Sequence, residues 1–187
     1  MLWPVRAAAS RTRSEGLLPL DVPLLHRGQP FGSLLLFCTD VVVGSTLRVA
    51  FLSAAGRSSG VSADSLDVAC AKMDVFIEYE ELIASCSMRQ GVAVHDTART
   101  PDGKWIITER KEVLQAEHRV ENRATLDIYL HPSQVCPSFE SDLIALRWRL
   151  RCCFVLVSAQ HLRTGMQVTP ISDTVEVCVP LTVLGAA

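Results

Sequence analysis

The sequence lacks the features that would assign it at once to several common classes of protein. Its formal net charge is only -2 over 187 residues, so it has no basic excess with which to neutralise the phosphates of a nucleic acid. Its longest apolar run, residues 34–43, is interrupted by Thr39 and Asp40. That run is about half the length that a membrane-spanning helix requires. The sequence therefore predicts no nucleic-acid partner and no membrane-spanning helix.

Sequence motifs of catalysis and of cofactor binding are also lacking in the context that they require. The G-x-S-x-G pattern occurs at residues 56–60 (GRSSG), but in a predicted Gly/Ser loop and not in the strand–turn–helix of a nucleophile elbow. Its glycines, Gly56 and Gly60, are not followed by the Lys-Ser/Thr of a phosphate-binding loop. The five histidines are scattered, without the spacing typical of a metal site: His26, His95, His118, His131 and His161. We therefore predict no cofactor, no metal site and no catalytic residue, and we interpret the protein as non-enzymatic.

The cysteines lack the pattern of a disulfide framework or of a metal site. They are odd in number, and no two have C-x-x-C spacing: Cys38, Cys70, Cys86, Cys136, Cys152, Cys153 and Cys178. Because most lie in apolar runs, where a free cysteine behaves as a small hydrophobic residue, we predict buried, reduced thiols in a cytosolic protein. Cys152 and Cys153 are adjacent on one predicted strand, so their side chains should point to opposite faces.

What the sequence does have is a strict two-residue period after residue 145. The even positions are all apolar: Leu146, Trp148, Leu150, Cys152, Phe154 and Leu156. The odd positions begin with Arg147, Arg149 and Arg151. Because side chains alternate between the two faces of a strand, this pattern predicts a strand with one face on a core and a solvated arginine row on the other.

Similar patterns elsewhere predict an all-β chain. Predicted strands cover residues 31–38, 41–52 with a bend or bulge at Gly44, 66–82, 83–88 as a further strand or as the continuation of 66–82, 104–112, 123–130, 142–158 and 174–184. A Gly/Ser loop covers residues 53–64, a Pro-Asp-Gly turn covers 101–103, and a short helix is predicted within 109–122. We therefore predict an antiparallel, immunoglobulin-like β-sandwich of about seven or eight strands over residues 31–187. Residues 1–30 are predicted to be an extended or disordered leader.

The arginine row leaves two interpretations open. In the first, its guanidinium groups pair with a neighbouring acidic strand that carries Asp74, Glu78 and Glu80. In the second, the row is a docking stripe for an acidic partner or a phosphoinositide headgroup. Glu81 is predicted to lie on the opposite face of its strand from Glu78 and Glu80. The candidate partner-binding residues are Arg147, Arg149, Arg151, Glu78, Glu80 and Glu81.

Several segments together resemble the C-terminal arrestin-like domain of the retrograde Golgi transport protein family called Rgp. They are Phe31-Gly32 and Val43-Gly44, residues 75–81 (VFIEYEE), residues 130–154 with the P-S-F and L-R-W-R-L segments, and residues 179–183 (VPLTV). The P-S-F and closing segments recur in arrestin-like proteins generally, whereas R-W-R-L points to Rgp. The resemblance covers about residues 31–184. Members of that family usually carry an additional N-terminal arrestin-like half, and here residues 1–30 precede the domain.

The resemblance implies a non-catalytic scaffold subunit of a guanine-nucleotide exchange complex for a Golgi Rab GTPase, acting in endosome-to-Golgi retrograde vesicle transport. Its partners would be a larger Ric-like β-propeller subunit and the Rab. It would be cytoplasmic and peripheral on Golgi membranes, where it could also contact the membrane surface. The alternative is an arrestin-like or retromer-type adaptor that sorts membrane-protein cargo. A hydrolase using a cysteine or histidine is a third hypothesis, and it predicts one thiol of unusually high reactivity.

Overall fold

The alternating apolar positions of the sequence form the facing surfaces of two β-sheets. The computed structural model describes residues 19–54, 68–87, 98–120, 122–158 and 173–186. Within these residues the two sheets pack face to face around one main core, which confirms the predicted all-β sandwich. The strands are β1 (Leu20–His26), β2 (Gln29–Leu36), β3 (Asp40–Val42), β4 (Thr46–Ser53), β5 (Val68–Ala84), β6 (Trp105–Arg119), β7 (Arg123–Tyr129), β8 (Phe139–Glu140), β9 (Ile144–Ser158) and β10 (Asp173–Leu184).

The strands are ordered so that β9 lies in the middle of the larger sheet. The first sheet has the order β1-β2-β4-β7, and the second has the order β3-β10-β9-β5-β6, with the short β8 paired to β9. The described pairings are antiparallel except for β3 with β10, which is parallel. The predicted short helix within 109–122 is wrong, because β6 continues through most of that segment. A 3-10 turn follows β5 at Ser85–Ser87.

The first hairpin lies in the segment that was predicted to be a leader. β1 pairs with β2 along its whole length, so the sandwich begins before the predicted boundary at residue 31. Its turn is Arg27-Gly28, with φ values of 50° and 80°, which is the left-handed geometry of a tight two-residue hairpin. The sequence concealed it because the turn is not an Asn-Gly pair and the first strand carries Pro23. Residues 1–18 and most of the predicted 53–64 loop, with Gly56 and Gly60, lie outside the described residues.

Two glycines in the segments that resemble the Rgp family are explained by different features of the structure. Gly44 has φ of 85° and lies in the turn between β3 and β4, which belong to different sheets. The predicted strand over 41–52 is therefore two strands, and its predicted bend is the crossing between the sheets. At Gly32 a Cβ atom would lie 2.6 Å from the ring of Phe51. A larger residue at Gly32 would displace that core ring.

A register shift in β5 changes which residues face the core. The shift lies between Cys70 and Lys72 in the pairing with β9, and it reverses the alternation on its N-terminal side. Cys70 and Met73 are therefore both buried although they are three positions apart. Ala69 and Ala71, which the alternation predicts to face the core with Met73, are only half-buried. The pattern failed here because a bulge inserts a residue without a signature in the sequence.

Aromatic rings from both sheets meet in the core. Phe154 of β9 lies 5.8 Å from Phe31 and 5.6 Å from Phe51, measured between ring centroids. Trp148 is 2% exposed and meets Tyr79 edge to face at 5.3 Å, so its predicted core position is confirmed. These contacts hold together segments that are far apart in the sequence.

Candidate functional site

The arginine row of β9 lies on the outer face of the second sheet, opposite the acidic residues of β5. The antiparallel register pairs Arg149 with Glu78 and Arg147 with Glu80. Because β9 has β5 on one side and β10 on the other, its side chains are flanked on both sides. The side chains of Arg149 and Arg151 are only 20% and 16% exposed. The predicted solvated face is therefore wrong for these two arginines.

Glu78 is the centre of this surface. It is 2% exposed. Its Oε1 accepts a hydrogen bond from Nε of Arg151 at 2.5 Å, and its Oε2 accepts from Nε of Arg149 at 2.8 Å. Burial acts to raise the pKa of the Glu78 carboxyl, but the hydrogen bonds from Arg151 and Arg149 outweigh it and hold that pKa below its usual range. Glu78 is therefore ionised at neutral pH, and both of its oxygens are engaged.

Charged side chains of the neighbouring strands extend the contacts of Glu78 with Arg149 and Arg151 into a network that we call the ion cluster. Its members are Glu78, Glu80, Arg110, Glu112, Arg149, Arg151 and Glu176. Glu80 lies 3.0 Å from Arg149 and 2.7 Å from Arg110, measured between charged atoms. Arg151 also contacts Glu112 and lies 3.6 Å from Glu176. Since its glutamates outnumber its arginines, an acidic ligand would have to displace carboxylates of the chain itself.

The ion cluster agrees with the first of the two interpretations of the arginine row. Glu78 and Glu80 pair with arginines of β9 as that interpretation predicts. Asp74, the third acidic residue of the predicted face, instead lies 3.1 Å from Nζ of Lys72. The second interpretation, docking of a partner on the arginines, stays a prediction.

Phe76 accounts for the one break in the polar face of β5. The register places it opposite Arg151, and the guanidinium carbon of Arg151 lies 4.0 Å from the centroid of its ring. A guanidinium group over an aromatic face is attracted by the ring quadrupole and loses little by being partly desolvated. The apolar residue therefore supports the arginine that holds Glu78.

The remaining two candidate residues lie apart from the ion cluster. Arg147 donates to Glu140 at 3.0 Å, and its guanidinium carbon lies 5.5 Å from the ring centroid of Trp105. Glu81 lies on the inner side of β5, as predicted, at the wall of an open groove of about 300 Å³ that Trp148 also lines. The structure therefore brings together four of the six candidate residues and separates Arg147 and Glu81 from them.

An exposed apolar surface that the sequence reasoning missed lies at the turn between β8 and β9. Phe139, Leu143 and Ile144 are 49%, 59% and 50% exposed, and we call them the β8–β9 corner. Ser141 fixes the turn, because its hydroxyl donates to the carbonyl of Ile144 at 2.9 Å and accepts from the amide of Ile144 at 3.1 Å. Arg147 and Phe139 both line a cleft of about 280 Å³ beside it. The signal in the sequence is that these three large apolar residues are interspersed with polar ones in residues 139–144 (FESDLI).

Burial governs the chemistry of the thiols. All seven cysteines are free, as predicted, but Cys38, Cys86, Cys136 and Cys178 are exposed, which corrects the prediction that most are buried. Burial raises the pKa of Cys70 and of Cys152 to about 12. Cys153 is half-buried on the opposite face of β9 from Cys152, as predicted. Each cysteine pKa that departs from its ordinary value is raised.

No protein-family model matches the chain, and no curated protein is significantly similar to it. In the described ranges no helix is long and apolar enough to cross a bilayer. Nor does that part of the chain gather three or more histidine, cysteine or acidic side chains into a group that could hold a metal ion.

Proposed function

We propose that this chain is a non-catalytic scaffold subunit of a guanine-nucleotide exchange complex for a Golgi Rab GTPase. In this proposal it binds a larger Ric-like β-propeller subunit, and the two together promote release of GDP during endosome-to-Golgi retrograde transport at the cytoplasmic face of Golgi membranes. The resemblance of residues 31–184 to the Rgp family supplies the identity of the partners. The structure supports the proposal with a β-sandwich and with a surface suited to protein contact.

The observation that carries the proposal is the β8–β9 corner. Its three apolar side chains are each about half exposed or more and lie beside the R-W-R-L segment. Covering apolar area is the main driving force of protein association, and exposed aromatic residues are frequent anchors of interfaces. The ion pair of Arg147 with Glu140 borders the corner and would form part of a polar rim. We therefore place the contact with the propeller subunit here.

The chemistry of the charged and thiol groups supports a scaffold more than a catalyst. The Glu78 carboxyl is held ionised by two arginines, and burial raises the pKa of the thiols that it affects. A catalytic cysteine needs the opposite shift, because the thiolate is the nucleophile. Alkylation of the native protein, followed residue by residue by mass spectrometry, tests the hydrolase hypothesis. One thiol that reacts far faster than the other exposed thiols would revive it.

The proposal is tested with the purified chain, a Ric-like propeller subunit and a Golgi Rab loaded with fluorescent GDP. We expect a stable complex with the propeller and faster GDP release only when both subunits are present. Phe139→Ser and Leu143→Ser should each weaken propeller binding by about tenfold. Leu25→Ser is the matched control, since Leu25 is 53% exposed but lies on the first sheet, and it should change binding by less than about twofold.

Two outcomes would contradict the proposal. Absence of binding to both the propeller and the Rab would reject the exchange-complex role. Selective binding of receptor tails or sorting peptides would instead support the cargo-adaptor alternative.

A further inference from the structure

The four edge strands of the two sheets differ in how they are protected against pairing with a further strand. β1 contains Pro23 and a register shift, and β3 is only three residues long. β6 has two register shifts against β5 and carries the charged run 109–112 (ERKE). Prolines, bulges, charges and short length are the usual devices that keep a sheet edge from pairing. Only β7 among these edges pairs evenly along seven residues and contains neither proline nor lysine.

The backbone of β7 presents hydrogen-bonding groups at that edge. The amide of Ser53 donates to the carbonyl of Asn122, and the amide of Leu130 donates to the carbonyl of Ser45. Hydrogen-bonded pairs alternate along an antiparallel ladder, so the even residues of β7 bond to β4. The amides and carbonyls of the odd residues therefore point away from β4, where the described residues supply no neighbouring strand: Arg123, Thr125, Asp127 and Tyr129.

An apolar opening between the two sheets runs beside the same edge. β7 and β6 border a cleft of about 170 Å³ whose floor is Val75 and Ile77 of β5. Leu114 of β6 and Ile128 of β7 line it, and Leu114 and Leu126 remain half-buried although they pack against the core. Alternate side chains of a strand added to β7 would point into this opening. Those side chains should be apolar and uncharged, since Asp127, the ionised residue lining the opening, is already paired with Arg48.

The charges along β7 indicate which charged residues a strand added at this edge should carry. Asp127 accepts from Nε and Nη2 of Arg48 at 2.7 and 2.9 Å, and Arg48 holds the pKa of that carboxyl below its usual range. Arg123 has no carboxylate at ion-pair distance within the described residues. Opposite charges on directly opposed residues of neighbouring strands are favourable. A complementary strand would therefore place an acidic residue opposite Arg123.

We propose that β7 is a docking edge at which a protein partner adds an extended strand to the first sheet. The partner segment has apolar residues at alternate positions, which fill the opening between β6 and β7, and a carboxylate opposite Arg123. This inference rests on the proposed function in so far as the partner is the propeller subunit that the β8–β9 corner also contacts. Main-chain hydrogen bonds to the odd residues of β7 supply affinity, and the opening supplies the preference for apolar side chains.

The test uses a proline at an odd position of β7. The amide of Thr125 points away from β4, so Thr125→Pro removes an edge donor while leaving the ladder to β4 intact. We expect Thr125→Pro to weaken binding of the purified propeller subunit by about tenfold or more, whereas Thr125→Ala stays within about twofold. Arg123→Glu should weaken binding by about threefold. Circular dichroism and thermal unfolding of each variant confirm that it is folded.

The outcomes separate this inference from the proposed function. Binding of the propeller by the wild type and by folded Thr125→Pro alike would overturn the docking edge and leave the scaffold role intact. If the wild type does not bind the propeller, a displayed library of random peptides about ten residues long tests whether β7 is a docking edge. Selected peptides with alternating apolar residues that require the Thr125 amide would support it, and peptides that bind Thr125→Pro equally would overturn it.

Two further measurements use the protein alone. The amides of Thr125 and Asp127 should exchange with deuterium faster than those of Leu126 and Ile128 in the free chain and slow on binding. Protection of all four in the free chain would contradict an open edge. In sedimentation, a dimer that Thr125→Pro dissociates would identify a second copy of this chain as the occupant and overturn the assignment to a different partner.

Discussion

The inner face of β9 is fully buried and the middle of its outer face is largely covered, but the two faces are shielded from solvent for different physical reasons. The inner face, Trp148 to Phe154 at even positions, is 2% exposed or less and packs against rings and aliphatic chains. The outer face carries Arg149 and Arg151, which are covered by carboxylates and by Phe76. The inner face gains free energy by removing apolar area from water, whereas on the outer face ion pairing offsets a desolvation cost.

This difference determines how each face responds to change. On the inner face the free energy of unfolding should follow the volume of the side chain that is removed, because close packing cannot collapse onto a cavity without cost. On the outer face it should follow the pairing of charges, so removing one partner should cost more than removing the whole network.

Phe154→Ala on the inner face should lower the free energy of unfolding by about 3 to 5 kcal/mol. Phe154 is fully buried and contacts the rings of Phe31 and Phe51, so the substitution leaves a cavity between the sheets. Urea denaturation followed by tryptophan fluorescence measures the change. Val155→Ala, at the next and half-buried position on the outer face, is the control and should cost less than about 1.5 kcal/mol. Equal losses for the two variants would contradict the comparison.

Glu78→Gln on the outer face should lower the free energy of unfolding by about 3 kcal/mol, because it leaves Arg149 and Arg151 partly buried beside a neutral group. Glu112→Gln is the control, since Glu112 is 52% exposed, and it should cost less than about 1 kcal/mol. Replacing Glu78, Arg149 and Arg151 together by apolar residues of similar size should cost less than Glu78→Gln alone. If the triple variant loses more free energy of unfolding than Glu78→Gln does, the charges themselves stabilise the outer face, in the way that side-chain volume stabilises the inner face.

The outer face should also make stability depend on pH in the acid range. The pKa of Glu78 is lower in the folded chain than its ordinary value, which is about 4.3 in an unfolded chain. The stabilisation is therefore fully present above that unfolded value and is lost as pH falls through the folded pKa. Urea denaturation between about pH 6 and pH 3 should show a steeper loss for the wild type than for Glu78→Gln. Parallel curves would mean that Glu78 does not titrate differently in the folded state.

Arg147→Ala should change the free energy of unfolding by less than about 1 kcal/mol. Arg147 and Glu140 are 42% and 56% exposed, so solvent screens their ion pair, and the contact of Arg147 with Trp105 is also at the surface. The same substitution should weaken propeller binding measurably if the β8–β9 corner is the interface. A large loss of stability with unchanged binding would place Arg147 in the structural ion network instead of at the contact surface.

How much of the fold the sequence predicts depends on whether a strand obeys simple alternation. The boundaries of β7, β9 and β10 agree with the predicted 123–130, 142–158 and 174–184 to within two residues, because each has a continuous apolar face. The sequence does not indicate β1, because its turn is Arg27-Gly28 and Pro23 interrupts the strand pattern. β6 was shortened and partly assigned to a helix because its edge position tolerates charges on many residues.

The candidate site was predictable in composition but not in arrangement. The sequence predicts that arginines of one strand meet glutamates of another, and Arg149 does meet Glu78. It does not predict Glu112 and Glu176, which come from β6 and β10 and reach the cluster only through the register of those strands. It also does not predict the β8–β9 corner, since exposure depends on what packs nearby.

From the sequence one can predict that this chain forms strands, that the even positions of β9 make an apolar face, and that Trp148 is buried, because alternation along a strand is a local property. Which strands are neighbours, where bulges shift the alternation, and which edges and apolar groups stay uncovered depend on the tertiary structure. Those features depend on contacts between residues far apart in the chain, such as Glu78 with Arg149 and Phe31 with Phe154. Contacts of that kind exist only once the two sheets have packed.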